Sequence, residues 1–446
     1  MAVFAGLRGM VCETPLYAKI TQTYPTMPRI LYTLAFYCLL PLMLLRLLWR
    51  ARRQPAYLSH LGERFGFYRS QPPAQQPLIW IHAVSVGETR ATAPLVALLN
   101  QRYPAHRILL THTTPTGRDA GTQLYGDEVL RCYLPYDLPG AMARFLAHFC
   151  PQIGLVMETE LWFNLIAACE RETVPLLLVN ARLSARSARG YKRIGKLMRQ
   201  GLKALSGIAA QTETDAARLR KLGAHDVQVV GNLKFDVSPP TVQDSGAVLR
   251  PLFNGGRPVF LAASTRDGEE ALVLDAVAQA NIPGMLTVIV PRHPQRFAEV
   301  AALLEKRGVK FRYRSDNLSA ESDCPVVLGD SMGEMFAYYA ACDVTFVGGS
   351  LLPYGGQNLI EPCSMGKPVL IGPHTFNFEQ SAELAVTDGA ALRVENVAAL
   401  AKALTRLFGD VELRTHMGEA ALAFSASHRG AAEKTVELVG KFIAQA

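Results

Sequence analysis

Short, unbroken apolar runs alternate with helix-patterned stretches twice along this chain, and that alternation narrows its fold more than any other feature. In the first half the runs are Leu78–Ser85, Arg107–Thr113, Val129–Tyr136, Ile153–Glu158, Leu176–Asn180, Ile208–Gln211 and Val227–Val230. Helical patterns such as Thr89–Gln101, Trp162–Glu172 and Ala188–Leu205 lie between them. A strand that is apolar on both sides has no solvated face, and such strands belong to parallel sheets covered by helices on both faces. The run 236–257, DVSPPTVQDSGAVLRPLFNGGR, is rich in proline, glycine and polar residues and reads as an interdomain linker. Alternation then resumes with Val259–Ala263, Leu286–Val290, Val326–Leu328, Val344–Val347 and Val369–Ile371. The expected class is α/β, with Rossmann-like domains at 57–235 and 258–446. Ligands in such sheets bind beyond the carboxyl ends of the strands, so the expected site is the cleft between the two halves.

Ahead of this lies ILYTLAFYCLLPLMLLRLLW, Ile30–Trp49, whose single charge is Arg46. As a helix its twenty residues would be about 30 Å long, the thickness of a bilayer's hydrocarbon core. A cleaved signal fits poorly, because RARRQ follows where small residues are needed. Residues 1–56 are therefore expected to carry a single-pass transmembrane anchor at 30–49. Arg50, Arg52, Arg53, Arg64 and Arg69 follow the span, against Lys19 and Arg29 before it, which puts the large C-terminal part in the cytoplasm. Eight scattered cysteines without a C-x-x-C pair agree with a reducing compartment and show no metal-ligand spacing. The net charge of +8 points to an acidic partner. Its densest source is 181–205, where Arg182, Arg186, Arg189, Lys192, Arg193, Lys196, Arg199 and Lys203 stand without one acid. That run is a solvated helix face or, beside an anchor, a surface for anionic membrane lipids. No nucleic-acid motif accompanies it, so nucleic acid is not an expected partner.

Residues able to do chemistry sit where the runs end. Ser85-Val86-Gly87-Glu88 is a capping box, in which the serine covers the third helical amide and the glutamate folds back. The motif by itself favours the cap, but a carboxylate at a strand's C-terminal end is also placed to act as general base, and neither reading of Glu88 excludes the other. Ser331-Met332-Gly333-Glu334 repeats the pattern, with Gly333 opening a helix start to a phosphate or merely capping it. In GGSLLPYGGQNLIEP, 348–362, Glu361 either accepts from ribose hydroxyls or serves its helix dipole. Arg292 in VPRHPQRF suits a phosphate or a sugar carboxylate. Glu158 and Lys234 also end up at strand termini, as a structural ion pair or as site residues.

Taken together, IWIHAVSVGE (79–88), THTTPTGRD (111–119), LPYDLPGA (134–141), ETELW (158–162), NARLSARSARGY (180–191), GNLKFD (231–236), VPRHPQRF (290–297), GDSMGE (329–334), FVGGS (346–350), GGQNLIEP (355–362) and GPHTFNF (372–378) resemble the bacterial 3-deoxy-D-manno-octulosonic acid (Kdo) transferases of lipopolysaccharide synthesis. The resemblance implies a GT-B fold, a membrane anchor, and inverting transfer of Kdo from CMP-Kdo to a lipid A precursor, with no cofactor and no metal. It implies Glu88 as general base and Glu158 and Lys234 as stabilisers of the transition state. It assigns nucleotide contacts to Pro291 and Arg292, to Met332, Gly333 and Glu334, and to Asn358, Leu359, Ile360 and Glu361. The chain departs from the family at Phe163, where proline is common, and at Arg266, where histidine is common. Rival readings are a UDP-sugar transferase or epimerase of the same fold, or a non-catalytic membrane-bound nucleotide-binding protein.

Overall fold

The computed structural model describes residues 26–52, 54–69, 76–238, 249–253, 256–321 and 323–443. The N-terminal extension before residue 26 (Lys19 included), Arg53, and 239–248 and 254–255 of the expected linker lie outside the described residues. The chain divides into a first unit, up to Val237 and again from Gly430 onward, and a second unit, Ser238–Arg429.

The first unit holds a seven-stranded parallel sheet: β1 Leu78–His82, β2 Arg107–His112, β3 Leu130–Tyr133, β4 Ile153–Met157, β5 Leu176–Ala181, β6 Gly207–Ala210 and β7 Val227–Val229. Their spatial order is β3-β2-β1-β4-β5-β6-β7. The winding reverses between β1 and β4, and a crevice forms at the carboxyl ends flanking such a reversal. The sheet is buried on both faces. Leu78, Trp80, Leu109 and Val156 pack into one apolar layer, and Ile79, Ile81, Ile108 and Leu155 into the other. Trp80 fixes a neighbour: a Cβ at Gly154 would lie 2.6 Å from its ring, so only glycine fits on β4 there.

The second unit repeats the plan with β8 Val259–Thr265, β9 Leu286–Pro291, β10 Phe311–Tyr313, β11 Val326–Leu328, β12 Val344–Val347, β13 Val369–Ile371 and β14 Ala391–Arg393, in the order β10-β11-β9-β8-β12-β13-β14. Here the reversal falls between β8 and β12. All twelve strands read from apolar runs form. The two additional ones, Phe-Arg-Tyr and Ala-Leu-Arg, are three-residue edge strands.

Three expectations change. The domain read as 258–446 ends earlier, because helix Ala431–Ile443 packs in the first unit, where Ala431, Ala432, Leu438 and Val439 join Leu95 and Leu99 in one core. Thr89–Gln101 is two helices, α2 Val86–Ala91 and Ala93–Arg102, since Pro94 supplies no N–H to continue the first. Ala188–Leu205 lies over Ala185–Tyr191, a 3-10 turn Lys192–Ile194, and Gly195–Ala204, its breaks lying beside Gly190 and Gly195. The expected anchor forms α1, Met27–Ala51, one helix long and apolar enough to cross a membrane. All seven cysteines among the described residues are free.

Candidate active site

Glu88 and Glu158 come from the two strands flanking the first sheet's reversal, Glu88 in α2 after β1 and Glu158 directly after β4. Ser85 caps α2, its Oγ accepting the Glu88 amide at 3.3 Å, so the capping reading of the motif is correct. The Glu88 carboxylate folds back into the same turn, accepting the Val84 amide on Oε2 at 2.8 Å and the Ser85 hydroxyl on Oε1 at 2.8 Å. These two donors leave lone pairs for an incoming hydroxyl. A helix N-terminus and two donors favour the ionised form. Burial and the nearby Glu158 charge outweigh them, raising the carboxyl from 4.5 to about 7. A carboxylate with that proton affinity is far better suited to removing a proton at neutral pH than an ordinary glutamate.

Glu158 is held in the left-handed region, φ 57°, an uncommon conformation for a side chain of this size. Its carboxylate meets Lys234 Nζ at 3.2 Å. Lys234 comes from the turn Leu233–Phe235, whose position depends on Asn180. The Asn180 Oδ1 accepts the Leu233 amide at 3.1 Å, and Asn232 Oδ1 accepts the Lys234 amide at 3.1 Å. The three residues assigned to chemistry thus share one neighbourhood, linked by the carboxylate pair and the ion pair.

Behind Glu88 stands a residue that carried no role in the sequence reading. His112, at the end of β2, meets the Ala83 carbonyl with Nδ1 at 3.0 Å. Burial lowers its pKa to about 4, so the ring is neutral, and a contact to a carbonyl makes Nδ1 the donor. It thereby pins the Ala83–Ser85 turn that presents Glu88. A Cβ at Gly117 or Gly121 would come within 3.5 or 3.0 Å of the imidazole nitrogens, so these glycines make its pocket. His82, lowered to about 3 by burial, then by His112, lies under the same turn, edge-on to Trp162 at 5.6 Å. The signal available was THTTPTGRD itself, with a histidine and a glycine at strand-to-helix spacing.

In the second unit, Pro291 ends β9 beside β8 and Arg292 follows it, its Nε donating to Gln357 Oε1 at 3.1 Å. Asn358 Oδ1 accepts the Ile360 amide at 3.1 Å at the start of helix Ile360–Ser364, with Leu359 its cap and Glu361 in its first turn. Arg292 and Glu361 both act on buried Tyr339, whose hydroxyl burial first and Glu361 next push up while Arg292 opposes. Both sequence-assigned charges thus act on the same buried tyrosine. Glu269, also without an earlier role, organises the glycine loop. Its carboxylate takes the amides of Gly349 at 2.5 Å, Ser350 and Leu351 at 3.0 Å, and Arg266 at 2.8 Å. Arg266 Nη1 reaches His293 Nε2 at 3.1 Å and stacks over Tyr354.

The second Ser-x-Gly-Glu does not form a capping box. Its helix starts later, at Met335, the Ser331 hydroxyl bonds Tyr338 at 2.7 Å, and Glu334 pairs with Arg314 at 2.9 Å. Gly333 adopts φ 88° with open space where a Cβ would be, and Met332 is exposed. Among the described residues, no group of three or more His, Cys, Asp and Glu side chains is arranged to hold a metal ion.

Residues 59–237 match the family model of 3-deoxy-D-manno-octulosonic-acid transferase (kdotransferase), and 275–424 match glycosyl transferases group 1. The 3-deoxy-D-manno-octulosonic acid transferase of Bordetella pertussis is 44% identical over 433 residues, 92% of this chain and 98% of that one. The enzyme of the same name from Haemophilus influenzae is 38% identical over 93% of this chain and 99% of its own. In fold the chain is similar to UDP-GlcNAc 2-epimerase from Neisseria meningitidis, TM-score 0.58 at 17% identity, over 82% of this chain and all of that one. It is similar also to Anabaena Alr3699/HepE, TM-score 0.59 at 14% identity, over 82% and 99%. The chain belongs to the 3-deoxy-D-manno-octulosonic acid transferase family and is a glycosyltransferase of GT-B fold.

Proposed function

We propose that this Kdo transferase moves Kdo from CMP-Kdo to a lipid A precursor, lipid IV-A, with inversion at the anomeric carbon. The observation that carries this reading is Glu88: a carboxylate at the sheet reversal, titrating at about 7, with capacity for one more donor. An acceptor hydroxyl is too weakly acidic to attack unaided. Glu88 takes its proton as the hydroxyl oxygen bonds to the anomeric carbon of Kdo, while the bond from that carbon to the phosphate oxygen breaks and CMP leaves as an anion. The Glu158–Lys234 pair beside it supplies a fixed cation for the negative charge that develops. Donor recognition belongs to the second unit. Arg292 binds the phosphate or the Kdo carboxylate, Glu361 accepts from the ribose hydroxyls, and Pro291, Met332, Gly333, Glu334, Asn358, Leu359 and Ile360 line the nucleotide. CMP-Kdo is a substrate, and no cofactor takes part. Helix α1 attaches the chain to the inner membrane with the catalytic units on the cytoplasmic side, as the basic residues after it favour.

The test is incubation of the full chain with CMP-Kdo and a tetraacylated lipid A precursor, with products read by mass spectrometry. Product masses raised by Kdo increments are expected. Turnover of UDP-sugars with none of CMP-Kdo sinks the proposal in favour of the UDP-sugar reading.

A further inference from the structure

Helix α1 spans 25 residues, about 37 Å at 1.5 Å per residue. By length it is able to cross a bilayer, yet its N-terminal turns are bonded to the first unit. Thr26 Oγ1 donates to Gln200 Oε1 at 2.8 Å, and Thr33 Oγ1 to Asn164 Oδ1 at 2.9 Å. The Tyr32 hydroxyl donates to Asp137 Oδ2 at 2.8 Å, and Asp137 is fully buried. The Tyr32 ring meets Phe163 edge-on at 5.3 Å, so the residue that replaces the family's usual proline is a docking point for this helix.

The chain leaving the other end of α1 returns to the same place. Glu63 pairs with Arg118 at 2.7 Å and accepts the Tyr133 amide at 2.8 Å, and Arg64 donates to the Thr113 carbonyl at 3.1 Å. Tyr133 and Asp137 are four residues apart, so the backbone points that hold the first turns of the helix and the segment after it lie within about 14 Å of each other. A crossing helix would carry Tyr32 to the far side of a hydrocarbon core of about 30 Å from the residues that follow α1. One folded unit cannot hold both ends in that arrangement.

The surface of α1 agrees. Half-buried or buried positions Arg29, Thr33, Phe36, Leu40, Leu47 and Ala51 form a stripe along its whole length, as on a helix lying against protein. Leu31, Leu34, Leu42, Leu45 and Trp49 are each more than half exposed, a continuous apolar face that water would not tolerate. Beside it, Lys192, Arg193 and Lys196 join Pro28, Leu31 and Ile194 around a groove of about 610 Å³. Cations next to an apolar ridge match the headgroup and acyl layers of an anionic leaflet.

We propose that α1 is a monotopic helix. It lies along one leaflet with both ends held on the cytoplasmic side by the first unit, its leucine face in the acyl layer and Lys192, Arg193 and Lys196 against anionic headgroups. The inference rests on the reading of α1 as the membrane attachment and changes its topology from crossing to in-plane. Arg29 in the first turn of the helix, Arg50 in its last turn and Arg52 just after it fit two cytoplasmic ends.

The full chain, carrying one epitope tag before residue 1 and a different one after residue 446, is produced in a Gram-negative host, and spheroplasts are treated with protease. The chain is expected in the membrane fraction, with both tags surviving in intact spheroplasts and both lost once detergent opens them. Loss of the N-terminal tag while the C-terminal tag survives overturns the in-plane topology and leaves the attachment standing. A chain found in the soluble fraction overturns the attachment reading and this inference with it.

Discussion

Glu88→Gln is expected to abolish transfer and, above neutral pH, to make the protein more stable. The folded carboxyl titrates near about 7 and the unfolded one near 4.5. Between those values the unfolded chain has lost its proton and the folded chain keeps it, so stability falls as pH rises through that window. Below the window both forms are protonated and Glu88 imposes nothing. Above it the full penalty applies, about 3 kcal/mol at 1.36 kcal/mol per pH unit. Glutamine keeps the neutral form's shape: its oxygen accepts the Val84 amide and its NH2 donates to the Ser85 hydroxyl. The variant therefore escapes the penalty without losing the turn. For a unit of this size that is a rise in Tm of roughly 6–12 °C at about pH 8.5, shrinking towards nothing near the unfolded pKa. Thermal melts of both proteins at the two pH values, with transfer assays alongside, measure it. A Tm gap that does not change with pH, or a variant less stable at the higher pH, would refute the assignment of burial and the Glu158 charge as the cause.

The same electrostatics predict that Glu158→Gln shifts the pH–rate profile to lower pH, because removing the like charge lets Glu88 ionise more readily. His112→Phe keeps a ring in the pocket but leaves the Ala83 carbonyl without its donor, a loss of about 1–3 kcal/mol. It is expected to lower kcat at least tenfold with little change in KM, and the pH profile moves as Glu88 loses its fixed position. In Glu269→Gln an NH2 group replaces one oxygen that accepts amides of the Gly349–Leu351 turn, and donors then face donors. The KM for CMP-Kdo rises more than kcat falls. Asp236→Ala removes the carboxylate that accepts the Gly430 and Ala432 amides, each at 2.6 Å, and weakens helix Ala431–Ile443 by about 1 kcal/mol. Hydrogen exchange across that helix quickens, with exchange in the second sheet unchanged.

The strands were readable because parallel sheets are buried on both faces, which writes itself as continuous apolar runs such as Leu-Ile-Trp-Ile-His. Phe311–Tyr313 and Ala391–Arg393 escaped because edge strands bury only part of their surface and contain arginine. Within the site, Ser85-x-x-Glu88 shows its cap locally. The proton affinity of Glu88 depends on Glu158, seventy residues away in sequence, and on burial, which no local pattern records. Two identical spacings diverged for the same reason. Ser331 and Glu334 face Tyr338 and Arg314, and those tertiary partners draw both side chains out of a capping box. Asn180 and Glu269 act through backbone amides supplied by distant loops, a role with no signature of its own.

Helix Ala431–Ile443 makes the second unit an insertion within the first, and this orders events during synthesis. The ribosome delivers the seven strands of the first sheet early, but the side chains that cover Leu95 and Leu99 arrive at the very end. Until then the nascent first unit displays an apolar patch through the whole translation of the second, a period in which chaperones and stray chains compete for it. Shortening the chain by this one helix should therefore damage the unit farthest from it in sequence, lowering soluble yield while the second unit folds undisturbed.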